Sequence, residues 1–229
     1  MADSSQPSKV CVASLITGPA VITLAVTLLR LLGELQHWPS VLFSRSAGGG
    51  GAIVGISWLP IFFGPYFAVK IARLSRQPVR YGKAFAVAAL GVVIFLAGGF
   101  LAFGPGNTRG RIVLGLGVMA AAAALQFISW RTLAKTLIAY AYAARIPVAI
   151  VMFFAIRGQW GTHYDALPPE APVPSAFWPK YLAIALIPQL VMWIAYTIIL
   201  GALIGTAYVA VAGRKKRTAP PESPQSAGA

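Results

Sequence analysis

Long apolar runs alternate with short segments that carry nearly all of the charge along this chain. Six of these runs are of the order needed to cross a hydrocarbon core as an α-helix, ~20 predominantly apolar residues. They are Val10–Leu32, Ala52–Val69, Ala84–Phe103, Ile112–Trp130, Thr136–Ile156 and Tyr181–Ala212. A helix suits that setting because each backbone polar group bonds inside its own segment. A membrane barrel would instead show ~10-residue segments of alternating polarity, and no such alternation runs through these stretches. The pattern therefore predicts an all-α integral membrane protein, a bundle of six transmembrane helices over residues 10–212. Residues 1–9 form an N-terminal tail, and 213–229 a basic and then Pro-rich one.

Linker lengths add an expectation about neighbours. The segments 70–83, 104–111 and 131–135 are short, and short connections make antiparallel neighbours, so spans 2–3, 3–4 and 4–5 should pack as hairpins. Small-residue spacings that let helices approach closely occur at Gly51-x-x-x-Gly55, Gly201-x-x-x-Gly205 and Ala139-x-x-x-Ala143. Pro19, Pro60, Pro65, Pro147 and Pro188 interrupt the runs, as ordinary kinks or as the broken helices that transporters use at substrate sites. Trp38, Trp160, Trp178 and Tyr181 gather at one set of boundaries and Tyr81, Trp130 and Tyr208 at the other, as in an interfacial aromatic belt.

Composition agrees with this picture: 58% of residues are hydrophobic and 10% charged. The net charge of +14 would suggest nucleic acid in a soluble chain. Here topology and anionic lipid explain it, and no nucleic-acid partner is expected. With six spans, one side receives Lys9, Lys70, Arg73, Arg76, Arg80, Lys83, Arg131, Lys135, Arg214, Lys215, Lys216 and Arg217. The other receives Arg30, Arg45, Arg109, Arg111, Arg157 and Lys180. The richer side is read as cytoplasmic, with both termini there. Arg73, Arg76, Arg80 and the run Arg214, Lys215, Lys216, Arg217 are candidates for binding anionic lipid at that face. Cys11, the single cysteine, is read as an inert packing thiol in the first span, and that span as a retained signal anchor in a bacterial inner (plasma) membrane.

Candidate chemistry is sparse. Arg145 falls near the middle of Thr136–Ile156, where a guanidinium costs ~3 kcal/mol or more to insert. Arg131, Lys135, Tyr142 and Arg145 share one helical face, expected to point into the bundle or a hydrated cavity. An anion or headgroup site there, or a relay position, competes with a structural tie to carbonyls, Gln126 or Ser129, and with an interfacial helix over 131–145. On the side opposite the cytoplasmic one, Glu34, His37, His163 and Asp165 are of the residue types that ligate zinc or do acid–base work, with a solvated loop as the plain alternative. Gly48–Gly51 is no phosphate loop, because neither the preceding strand nor the following Lys-Ser/Thr is present. No catalytic residue and no cofactor is expected.

The stretch Tyr140-Ala-Tyr-Ala-Ala-Arg-Ile-Pro147 resembles the Tyr…Pro pattern of Yip-type multi-spanning proteins within one span alone, and the resemblance carries no function over. Three functions fit the sequence. The first is a non-enzymatic accessory or scaffold protein that packs with a membrane-protein partner or with lipids. The second is a small transporter or channel component with a midplane site around Arg145. The third is a membrane enzyme at the outer face, which requires Glu34, His37, His163 and Asp165 to converge.

Overall fold

A computed structural model describes residues 10–49, 51–74, 79–106, 108–167 and 174–218, with side chains described as far as Ala212. The described residues form helices without strands: α1 (Val12–Leu35), α2 (Leu59–Leu74), α3 (Tyr81–Phe103), α4 (Arg109–Leu125), α5 (Arg131–Gly158), the short α6 (Phe177–Tyr181) and α7 (Trp193–Thr218). α6 runs into α7 through two π-helical turns, Leu182–Leu186 and Pro188–Met192. Five helical stretches are long and apolar enough to cross a membrane: Val12–Leu35, Tyr81–Phe103, Arg109–Ile128, Arg131–Gly158 and Phe177–Ala212.

The run Ala52–Val69 departs from expectation. Its helix begins only at Leu59 and has 16 residues, about 24 Å of rise against a core of about 30 Å. Pro60 explains the late start: with φ preset and no N–H to donate, proline suits the first helical turn, not the middle of a span. Upstream, Ile53 and Val54 donate instead to the carbonyls of Val41 and Leu42, at 3.2 and 3.1 Å. The Gly51/Gly55 seam is therefore not helical. Gly51 has φ +72°, and a Cβ on Gly55 would lie 2.9 Å from the guanidinium of Arg30.

Of the expected hairpins, α3 and α4 pack directly, whereas the backbones of α2 and α3, and of α4 and α5, do not come together. α7 is the hub, touching α2, α3, α4 and α5. The Gly201/Gly205 spacing is used at its crossing with α2. There a Cβ on Gly64 would strike the Gly201 carbonyl, and one on Gly205 would come within 2.7 Å of the Gly64 carbonyl. The break expected at 131–135 falls earlier. A 3₁₀ turn at Gln126–Ile128 ends α4, and α5 is continuous over 28 residues from Arg131. α5 thus has no break near Arg145 that would separate an interfacial helix from a span.

The bundle is apolar outside and carries polar groups within. On α1 the buried residues include Thr23, Thr27, Arg30 and Glu34, while Val21, Ile22, Leu24, Leu28, Leu29 and Leu32 are exposed. In water that arrangement would forfeit the main driving force for folding; facing hydrocarbon it is favourable. Cys11 lies just before α1 and is exposed, so it is not the packing thiol expected. Trp130, assigned to the aromatic belt, is buried against Tyr81 with ring centroids 5.5 Å apart.

Candidate functional site

The expected stripe on α5 is split. Arg131, Lys135 and Tyr142 are exposed and only Arg145 is buried, 4% accessible. The buried face of α5 centres on Leu133, Leu137, Tyr140, Ala144 and Val148. At 100° per residue, Arg145 stands at the margin of that face, and its long side chain is drawn inward. Its Nη1 donates a long hydrogen bond to Gln189 Oε1 at 3.4 Å, and its guanidinium carbon lies 4.5 Å from the centre of the Trp193 ring. The Nε–H has no partner among the described residues. Neither Gln126 nor Ser129 ties it down. Gln126 bonds to the carbonyls of Val87 and Ala122, and Ser129 to that of Gln126.

Gln189 reaches Arg145 because the last span is broken. Pro188 cannot donate to the residue four back, and its ring crowds that carbonyl, so the ladder widens to π spacing around it. Gln189 is buried there, with its amide nitrogen 3.5 Å from Met152 Sδ. Sequence reasoning did not single out Gln189, although a glutamine directly after an intramembrane proline is a visible signal. The result is a cation held by an amide and an aromatic face. Within the described residues the carboxylates, Glu34 and Asp165, are committed elsewhere.

A polar seam runs along α1 toward those carboxylates. Thr23 Oγ1 shares a 2.9 Å hydrogen bond with Tyr140 and donates to the Pro19 carbonyl; Thr27 Oγ1 donates to Thr23 O. Tyr164, in the loop after α5, donates its hydroxyl proton to Thr27 O at 3.2 Å. Burial there pushes the Tyr164 hydroxyl well above its ordinary pKa.

Glu34 closes the seam. It is 1% exposed and holds three hydrogen bonds. Oε1 accepts Arg30 Nε at 2.7 Å and meets His163 Nδ1 at 2.5 Å, and Oε2 accepts the His163 backbone N–H at 2.8 Å. Arg30 also donates to the Ser44 carbonyl at 3.1 Å. Burial lowers the His163 pKa, with the Glu34 carboxylate pulling in the opposite direction, and the Nδ1–Oε1 contact joins the two side chains. The clasp thus pins the loop after α5 onto the end of α1.

The other two expected ligands do not join it. His37 adopts the left-handed conformation, φ 55°, that ends α1. Trp38 N–H bonds to Gly33 O and His37 N–H to Glu34 O, the paired bonds of a Schellman cap. The His37 imidazole meets Arg45 Nη1 at 2.6 Å. Asp165 turns back on its own loop, accepting from the N–H groups of Gly161 and Thr162 and from the Thr162 hydroxyl. No group of three or more His, Cys, Asp or Glu side chains with metal-binding geometry occurs among the described residues. The expected four-residue convergence is corrected to a Glu34–His163 pair with Arg30. The reason is local: helix capping and an Asp-closed turn satisfy His37 and Asp165 where they stand.

Of the expected lipid-binding residues, Arg73 and Arg80 are exposed at the end of the bundle where α2 finishes and α3 begins. Arg76 lies outside the described residues, as do the side chains of Arg214, Lys215, Lys216 and Arg217. Comparison with protein-family models finds no family that matches this chain, and neither the curated proteins nor the solved structures provide a match.

Proposed function

We propose that this chain is a multi-pass protein of a cell membrane, a bacterial inner membrane by its sequence character. Its five long apolar helices and the shorter α2 together form a six-span bundle with both termini cytoplasmic, and Arg145 binds an anionic group as a small transporter or channel component would. The observation that carries the reading is Arg145 itself. It is a buried guanidinium without a carboxylate partner among the described residues, with an unsatisfied Nε–H, facing the π-helical break at Gln189. A charge in that setting is costly unless something compensates it, and π-helical breaks and discontinuous spans recur at functional sites.

The test is thermal stabilisation of the purified full-length protein in nanodiscs by chloride, nitrate, phosphate and acetate. An anion at a hundred times its Kd adds about 2.7 kcal/mol, a rise of roughly 5–10 °C for a chain of this size. Arg145→Leu should abolish that response while leaving the fold intact. A flat response to every anion in the wild type, with Arg145→Leu equally or more stable, would sink the proposal.

A non-enzymatic accessory or scaffold role is the second reading. It is favoured by the broad exposed face of α1, with Val21, Ile22, Leu24, Leu28, Leu29 and Leu32, which suits a membrane-protein partner. Native mass spectrometry after gentle extraction separates the two: a stoichiometric protein partner points to the accessory role.

A further inference from the structure

α4 and α5 are consecutive, yet they splay apart, and α7 with its preceding π turn forms the floor of the gap between them. The gap is a half-open groove of about 260 Å³ whose walls include Ala123, Phe127, Ile138, Tyr142, Leu190 and Ile194. Small alanine side chains on α4 leave it unfilled, and the lining is largely apolar.

One face of α5 leads into this groove from the charged end of the bundle. Arg131, Lys135, Ile138 and Tyr142 are spaced four, three and four apart and lie within a narrow arc of the helix. Ile138 and Tyr142 line the groove, and Arg131 and Lys135, two turns and one turn before Ile138 on the same helical face, are exposed. No acidic side chain pairs with either cation among the described residues. From Lys135 to Tyr142 the helix rises about 10 Å, so cations at the boundary give way to an apolar trough within two turns.

We propose that this groove seats an acyl chain of one anionic phospholipid, with its phosphate held by Arg131 and Lys135. The occupant follows from the charge pattern: two exposed cations at one end of an apolar groove on a bundle whose outer surface suits hydrocarbon. The inference does not require an anion at Arg145, which is buried and does not line the groove, whereas Arg131 and Lys135 are exposed.

Native mass spectrometry tests it on delipidated full-length protein offered phosphatidylglycerol and phosphatidylcholine with identical dioleoyl chains. One phosphatidylglycerol should be retained in preference. Arg131→Gln with Lys135→Gln should cut its affinity roughly thirtyfold, taking about 1 kcal/mol per basic residue near the surface. Ala124→Trp, which fills the groove without altering charge, should remove retention of the lipid, whereas Arg73→Gln, away from the groove, should not. Equal retention of the two lipids, or undiminished phosphatidylglycerol binding in both groove variants, overturns the proposal. So does competition by inorganic phosphate at millimolar concentration, which would mark a free-phosphate site.

Discussion

Replacing Glu34 with glutamine removes a charge and one acceptor oxygen while keeping the shape of the side chain. The native carboxylate serves Arg30 Nε, His163 Nδ1 and the His163 backbone N–H at 2.5–2.8 Å. A glutamine carbonyl can still accept from one or two of these, but its NH₂ then faces a donor. Hydrogen bonds to charged groups contribute about 1.5–3 kcal/mol each, and removing one partner of a buried ion pair costs about 3–5 kcal/mol. Arg30 keeps the Ser44 carbonyl, which places the expected loss near the lower bound, about 3 kcal/mol. For a chain of this length that lowers the apparent Tm by roughly 6–12 °C. The assay is thermal unfolding in mild detergent, run as a double-mutant cycle with His163→Ala. The two changes should couple by about 1–3 kcal/mol. A Glu34→Gln protein within about 0.5 kcal/mol of wild type, or strict additivity with His163→Ala, would refute the view that the clasp holds the loop.

The pH dependence of that clasp has a definite sign. The His163 pKa is lowered by burial from its ordinary 6.5, so as pH falls the unfolded chain takes up the proton before the folded one does. The contribution is whole above pH 6.5 and drains away toward the folded value, so Tm should fall with acidification in that window, and His163→Gln should flatten the slope. Gly64→Val should force α2 and α7 apart where Gly64 meets Gly201, at a cost of about 1–3 kcal/mol or more. Gly18→Ala, with nothing within 4 Å of the added carbon, is the near-neutral control, and a Tm ordering in which the two behave alike would refute the crossing. Tyr140→Phe removes the bond to Thr23 while Thr23 retains the Pro19 carbonyl at 2.7 Å. Its expected cost is about 1 kcal/mol, and a loss several times larger would mean that the seam acts as one cooperative network.

Most helices were legible in the chain because apolar length and helical span are nearly the same quantity in a bilayer. Five of the six runs match helical stretches long and apolar enough to cross. In the remaining run, Ala52–Val69, the helix starts only at Leu59, where hydropathy saw a continuous run and the backbone needed a beginning. Neighbour relations were less legible, since a short linker brings two ends together but does not say what wedges between the helices; α7 does so between α4 and α5. The α5 stripe was expected to turn inward as a whole, yet periodicity alone could not say that the bundle would cover Arg145 and leave Arg131, Lys135 and Tyr142 exposed. Of the polar candidates, Glu34 and His163 meet although 129 residues separate them. Nothing local distinguishes them from His37 and Asp165, whose partners lie within eight residues. Arg30 was assigned only to topology, although its place one turn before Glu34 was a readable i,i+4 pair.

The same separation has a consequence for biogenesis. A ribosome adding about 5–20 residues per second makes Glu34 on the order of ten seconds before His163, 129 residues later, exists to meet it. In that interval Arg30, on the same helix and one turn away, is the partner already at hand to neutralise the carboxylate. α1 therefore carries its own provisional counter-ion into the bilayer. The His163 loop closes over an ion pair that can form without it, and α7, which comes later in the chain, then completes the bundle.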